Sequence, residues 1–167
     1  MTRRTAVVYL LVFAAALGLL QTASTQAGDR PAPDAVTTAL ATLGYDFDVD
    51  GDGDYKLIRH YTDGRSQLVF INGSTSTYDG YAIRNVWAPA ALLADAPSQQ
   101  IANRLLRQNG QVKLGAWCVI RSDDGHLAAF VAKVPADADA ETLRIAIEAV
   151  GVTADELEKA LTSVDEY

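Results

Sequence analysis

Cysteine is nearly absent from this chain. Its 167 residues hold one, Cys118, so no disulfide can close within it and the fold rests on its core alone. Histidine is almost as scarce: His60 and His126 have no neighbours at metal-ligand spacing, so each reads as a surface or strand residue. Positive charge is not clustered either. Lys and Arg are scattered singly, and only Arg104 and Arg107 share a helical turn. With a net charge of −7, this distribution excludes nucleic acid and anionic lipid surfaces as partners. No Gly-x-Ser-x-Gly elbow and no nucleotide-binding glycine loop occurs, so no catalytic constellation is recognisable. Groups drawn together from distant segments into a small envelope hydrolase form one alternative reading.

Long apolar runs are missing too, with one exception. Val7 to Leu20 is apolar apart from Gly18, follows Arg3 and Arg4, and gives way to small and polar residues from Gln21 to Ala27. Thr25 and Ala27 place small residues at −3 and −1 of a cut before Gly28, so residues 1–27 read as a secretory signal peptide. A membrane-spanning helix needs roughly 20 apolar residues, more than this run supplies, although a retained anchor is the alternative. A twin-arginine signal fits poorly, and no cysteine follows the cut to carry a lipid. The expectation is a periplasmic or secreted protein without stable membrane insertion after cleavage. Setting aside Arg3 and Arg4 leaves 12 basic residues against 21 acidic, a net charge of −9 for the mature chain.

What is present reads as a tether (28–33) and one α+β domain (34–167). Asp34 caps a first helix with Val36, Leu40 and Leu43 on one face and Gly44 at its end. Strands follow at Tyr45–Val49, Tyr55–Tyr61, Gln67–Asn72 and Tyr81–Trp87, separated by Asp/Gly and Gly/Ser/Thr turns. Ser98 caps a second helix that carries Ile101 and Leu105 and stops at Gly110. A hairpin spans Val112–Arg121 and His126–Val134 around the turn Ser122–Gly125. Two C-terminal helices are expected. Asp139 caps the first, which holds Leu143, Ile147 and Val150 and ends at Gly151. The second opens with a Thr153/Glu156 capping box and a Val152/Leu157 staple, then continues through Leu161 and Val164. Runs of strands joined by short turns mean antiparallel pairing with helices packed on the sheet. Cys118, inside the apolar Trp117–Ile120, reads as a small buried hydrophobe.

Asn103-Arg104-Leu105-Leu106-Arg107 leads to Lys113-Leu114-Gly115-Ala116-Trp117, then to the Asp123-Asp124-Gly125 hairpin and a strand ending at Val134-Pro135. Upstream, Leu43-Gly44-Tyr45 precedes an acidic strand. Taken together, these motifs resemble the YbjN family of bacterial sensory transduction regulators, whose fold is similar to that of type III secretion chaperones. The resemblance covers most of 34–150 and implies an order of helix, strands, helix, hairpin and C-terminal helices. It also implies surface binding of extended polypeptide, a homodimer as an option, and no catalytic residues to transfer. The leader and the segment 153–164 depart from the family pattern.

Two further sets of residues are candidates for function. Asp46 to Asp54 carries five carboxylates in nine residues and matches half of a calcium loop, with Asp48, Asp50 and Asp52 as ligands. The twelfth position, which should supply a bidentate carboxylate, is Arg59 in that register and Leu57 in the register starting at Asp46. A hairpin turn using Asp and Gly is therefore the expectation, with no cofactor, and weak calcium binding by a cation-responsive module is the alternative. Trp87, Trp117 and Tyr81 are candidate partner-binding aromatics, weighed against use in the core. The reading as a whole is an exported non-catalytic module that engages a polypeptide partner.

Overall fold

A computed structural model describes residues 34–162 and 165–167. The expected leader, the tether and Val164 lie outside these residues. Helix α1 (Ala35–Leu43) begins where Asp34 accepts a hydrogen bond from the Thr37 N–H at 2.9 Å, and ends where Gly44 turns left-handed. Then come β1 (Asp48–Val49), β2 (Tyr55–His60), β3 (Ser66–Ile71), β4 (Ser76–Tyr78) and β5 (Tyr81–Leu93). Helix α2 (Gln99–Asn109), capped by Ser98, leads to the hairpin β6 (Ala116–Ser122) and β7 (Gly125–Pro135). Helix α3 (Ala140–Leu161) is capped by Asp139, which accepts from the Thr142 N–H.

All seven strands form one antiparallel sheet in the order β1-β2-β3-β5-β7-β6, with β4 paired to the start of β5. The α+β class and the antiparallel sheet with packed helices are as the strand spacing predicts. Alternation then divides the sheet. Tyr55, Ile71, Val86 and Ala132 lie in register across four strands, and all are buried. They join Val36 and Leu40 of α1, Leu105 of α2, and Leu143, Ile147, Val150, Ala154 and Leu157 of α3 in one core. Each Val, Leu or Ile side chain among them contributes about 1.5–3 kcal/mol relative to exposure.

Several expectations need correction. The C-terminus is one 22-residue helix, not two. The apolar stripe runs straight through Gly151, which is buried against the sheet; a Cβ there would lie 2.7 Å from the Tyr61 hydroxyl. Close packing therefore outweighs the roughly 1 kcal/mol a mid-helix glycine costs. Thr153 and Glu156 sit inside the helix and cap nothing, and Val152 is exposed rather than stapled. Five strands, not four, precede α2. The polar Ser76–Tyr78 forms β4 because Asp79 and Gly80, both with positive φ, fold it back onto β5. The fourth expected strand extends to Leu93, across an irregularity between Pro89 and Ala91. The strand expected at Tyr45–Val49 shrinks to two residues, and β6 starts at Ala116 rather than Val112. Cys118 is exposed, as is every β6 residue from Cys118 to Ser122, because β6 is the last strand of the sheet and the core reaches it only at Trp117.

Candidate functional site

Strand residues of the other parity face away from the helical core. Lys56, Phe70, Trp87, Val131 and Ala116 lie in register across five strands, one residue over from the buried row. None belongs to the core cluster. Phe70 and Trp87 stack with ring centroids 4.4 Å apart and planes 13° from parallel. Ile58 extends this apolar surface on β2 and is 52% exposed, as Ile120 does on β6. An antiparallel sheet commonly solvates one face, but that face is then normally polar. Here its centre is aromatic and aliphatic, which is how an interaction surface is composed.

Towards β2 this face meets a cleft of about 450 Å³, lined by Gly44 to Asp48 and by Lys56, Leu57, Ile58 and His60. The cleft exists because β1 pairs with β2 at only two positions, Asp48 with Lys56 and Val49 with Tyr55. Before Asp48 the chain diverges towards α1. Tyr45, on the diverging wall, is held from behind: the Arg59 guanidinium lies 5.0 Å from its ring centroid, and its hydroxyl donates to Glu148 at 3.4 Å. Arg59 also pairs with Glu148. Burial pushes the Tyr45 phenol above its ordinary pKa, with Arg59 acting in the opposite direction, so the ring stays neutral at physiological pH.

The acidic segment beside the cleft folds as a hairpin connection. Asp50 Oδ1 accepts from the backbone N–H groups of Asp52 at 3.0 Å and Asp54 at 2.9 Å. Asp54 accepts from the Gly73 N–H at 2.8 Å. Gly73 passes so close to the turn that a Cβ would sit 2.1 Å from the Gly53 carbonyl oxygen. Asp48, Asp50 and Asp52 are not gathered into a common group. Among the described residues, the three carboxylates that do come together are Asp155, Glu158 and Asp165, with oxygens within 4.8 Å of one another. The Arg65 guanidinium already serves that group, at 2.5 Å from Asp155 and 2.7 Å from Glu158. The second oxygen of buried Glu158 accepts from the N–H groups of Glu166 and Tyr167, so the cluster ties the C-terminal residues to α3 and to the β2–β3 turn.

The three candidate aromatics part company. Trp117 is 6% exposed and packs edge-on against Phe130 at 5.1 Å, so it serves the core. Trp87 lies on the open face. Tyr81 is 57% exposed beside the still more exposed Tyr78, at the tip of the β4–β5 hairpin. His60 lines the cleft on β2, whereas His126 is on β7, three strands away, and Cys118 is beyond it on β6. Sequence reasoning missed Phe70, Ile58 and the cleft. The signal for the first two was present in the strands themselves, where apolar residues occupy both parities.

Comparison with protein families adds a match. The family described as "Putative bacterial sensory transduction regulator" covers residues 32–166. No curated protein matches the chain. With the match spanning the whole described domain, the chain belongs to the YbjN family.

Proposed function

We propose that this protein is an exported, non-catalytic module of the cell envelope that holds a polypeptide partner on the open face of its sheet. The observation that carries the reading is the stacked Phe70–Trp87 pair at the centre of a face outside the core. Aromatic anchors bury much area at low entropic cost, and this is where binding energy concentrates at interfaces. The regulatory description of the family is consistent with a binding role.

The test is affinity capture from envelope extract with the mature protein and with a Phe70→Ala/Trp87→Ala variant that keeps its circular dichroism. A protein retained by the parent and lost by the variant supports the reading. Equal retention by both counts against this face. Export is judged separately by intact mass: the protein recovered from the producing cell should start at or near Gly28, and a full-length chain in the membrane fraction would reject cleavage. The cation-responsive alternative draws support from Asp46 and Asp52, whose side chains have no partner among the described residues. A calcium titration of the melting temperature decides it.

A further inference from the structure

We propose that the open edge of β2 docks an extended polypeptide segment that alternates apolar and basic side chains and adds to the sheet as a further strand. The inference rests on the binding-module reading above and gives it a location and a partner chemistry. Its first support is the direction of the backbone groups. The Tyr61 N–H donates to the Arg65 carbonyl across the β2–β3 turn at 2.8 Å, and the Asp50 N–H donates to the Asp54 carbonyl across the β1–β2 turn at 3.0 Å. The two-residue period of a strand then aims odd-numbered β2 residues at β3 and even-numbered ones at β1. Since β1 reaches only as far as Lys56, the N–H and C=O groups of Ile58 and His60 face an edge that is unpaired among the described residues.

The second support is that this edge is bare at Ile58 and His60, whereas the opposite edge is capped where β6 begins. At β6, the Asn109 side chain takes the place of a neighbouring strand: its Oδ1 accepts from the Trp117 N–H at 2.6 Å and its amide donates to the Trp117 carbonyl at 3.4 Å. Proteins blunt sheet edges in this way to prevent pairing with other chains. Among the described residues, nothing similar meets Ile58 and His60. In front of them lies the cleft of about 450 Å³, with the ring of Tyr45 held in its wall by Arg59 and Glu148.

The third support is charge. Asp46 and Asp48 line the cleft, and the acidic turn up to Asp54 adjoins it, with Lys56 as the one lysine or arginine on the wall. A strand laid along Ile58 and His60 would send alternate side chains over the apolar open face and into the cleft. Apolar groups suit Ile58, and Lys or Arg suits the unpartnered Asp46. Main-chain bonds supply affinity in this mode, and the alternating pockets supply selectivity.

The test uses two ten-residue synthetic peptides, one alternating valine with lysine and one alternating valine with glutamate. Fluorescence anisotropy should show binding of the lysine peptide at least tenfold tighter than the glutamate peptide, with the difference shrinking in high salt. Amide hydrogen exchange should show the Ile58 and His60 N–H groups becoming protected in the complex. Ile58→Pro removes one outward N–H without removing a β3 bond, and should cut binding at least tenfold. Asp46→Asn, a milder change, should weaken only the lysine peptide. Lysine-peptide binding without protection at Ile58 and His60 would overturn the edge site yet leave the binding-module reading standing. Protection of both amides in the free protein that vanishes on dilution would assign the edge to a second copy of the chain and equally overturn the proposal. Failure of both peptides to bind at millimolar concentration would reject it, while the Phe70/Trp87 capture experiment judges the broader reading independently.

Discussion

Two adjacent rows of one sheet show how this molecule divides its work. Tyr55, Ile71, Val86 and Ala132 are sealed beneath the helices, whereas Lys56, Phe70, Trp87 and Val131, one residue along each strand, face the other way. Both rows are largely apolar, so hydrophobicity does not decide which is covered. What decides is where α1 and α3 can lie, and they lie on one side only. The covered row therefore carries stability, and the open row is the one on which the proposed partner would sit.

The sharpest test of that division compares one residue beneath the helices with one on the open face. Leu157→Ala removes a fully buried side chain and should cost about 2–5 kcal/mol by denaturant unfolding. The loss should not depend on protein concentration, because Leu157 docks within its own chain. Ile58→Thr, on the open face, should stay within about 0.5 kcal/mol. Equal losses would mean that the open face is also part of the folded core. A somewhat smaller effect is expected at the helix–sheet contact. Gly151→Ala should destabilise by about 1–3 kcal/mol through overpacking against the Tyr61 hydroxyl. That hydroxyl is buried without a hydrogen-bond partner, so Tyr61→Phe alone should be tolerated. In the Tyr61→Phe background, Gly151→Ala should become neutral or stabilising as alanine's helix preference takes over. Persistence of the full loss would place the clash elsewhere.

Acid titration gives a smaller effect, confined to the helix starts on the covered side. Bonds from the side chain and backbone of Thr142 hold Asp139 below the ordinary carboxylate range. Burial pushes Asp34 upward, but bonds from Tyr55, Thr37 and Val36 together outweigh it and lower it as well. A carboxylate with a lower pKa folded than unfolded contributes stability above its unfolded value, about 3.8, and loses it as pH falls through the folded value. Melting temperature should therefore drop below about pH 4. The drop should be shallower in the Asp34→Asn/Asp139→Asn variant, which keeps both caps as uncharged acceptors. An unchanged slope would assign acid sensitivity to other carboxylates. The smallest effect is expected from calcium. With Asp50 engaged by the turn, millimolar calcium should leave the melting temperature nearly unchanged. Occupancy at one hundred times a dissociation constant would instead add about 2.7 kcal/mol. A rise of that kind, abolished by Asp50→Asn, would establish the cation-responsive alternative.

Local chemistry was readable wherever it acts locally. Asp34, Ser98 and Asp139 cap the helices that the pattern predicts, because a cap needs only a side-chain oxygen and an N–H three residues on. Gly44 ends α1 for a similarly local reason. The Thr153/Glu156 signature failed because the same residues fit equally well inside a helix, and the choice lay with the sheet beneath Gly151. Of the candidate site, Trp87 and the neighbouring acidic segment were legible, while the partner of Trp87 in its stack was not. Phe70 and Trp87 are 17 positions apart in sequence, and only the pairing of β3 with β5 brings them together.

By itself, then, the sequence determined the antiparallel α+β class, the starts of α1, α2 and α3 and the β2–β3 and β6–β7 turns, since these follow from residue periodicity and from bonds spanning a few positions. Tertiary structure alone decided which parity of each strand is covered, why Trp117 is core while Trp87 is surface, and how far β1 accompanies β2. Those outcomes depend on where distant helices and strands come to rest, and packing of that kind has no counterpart in the local pattern of a single chain.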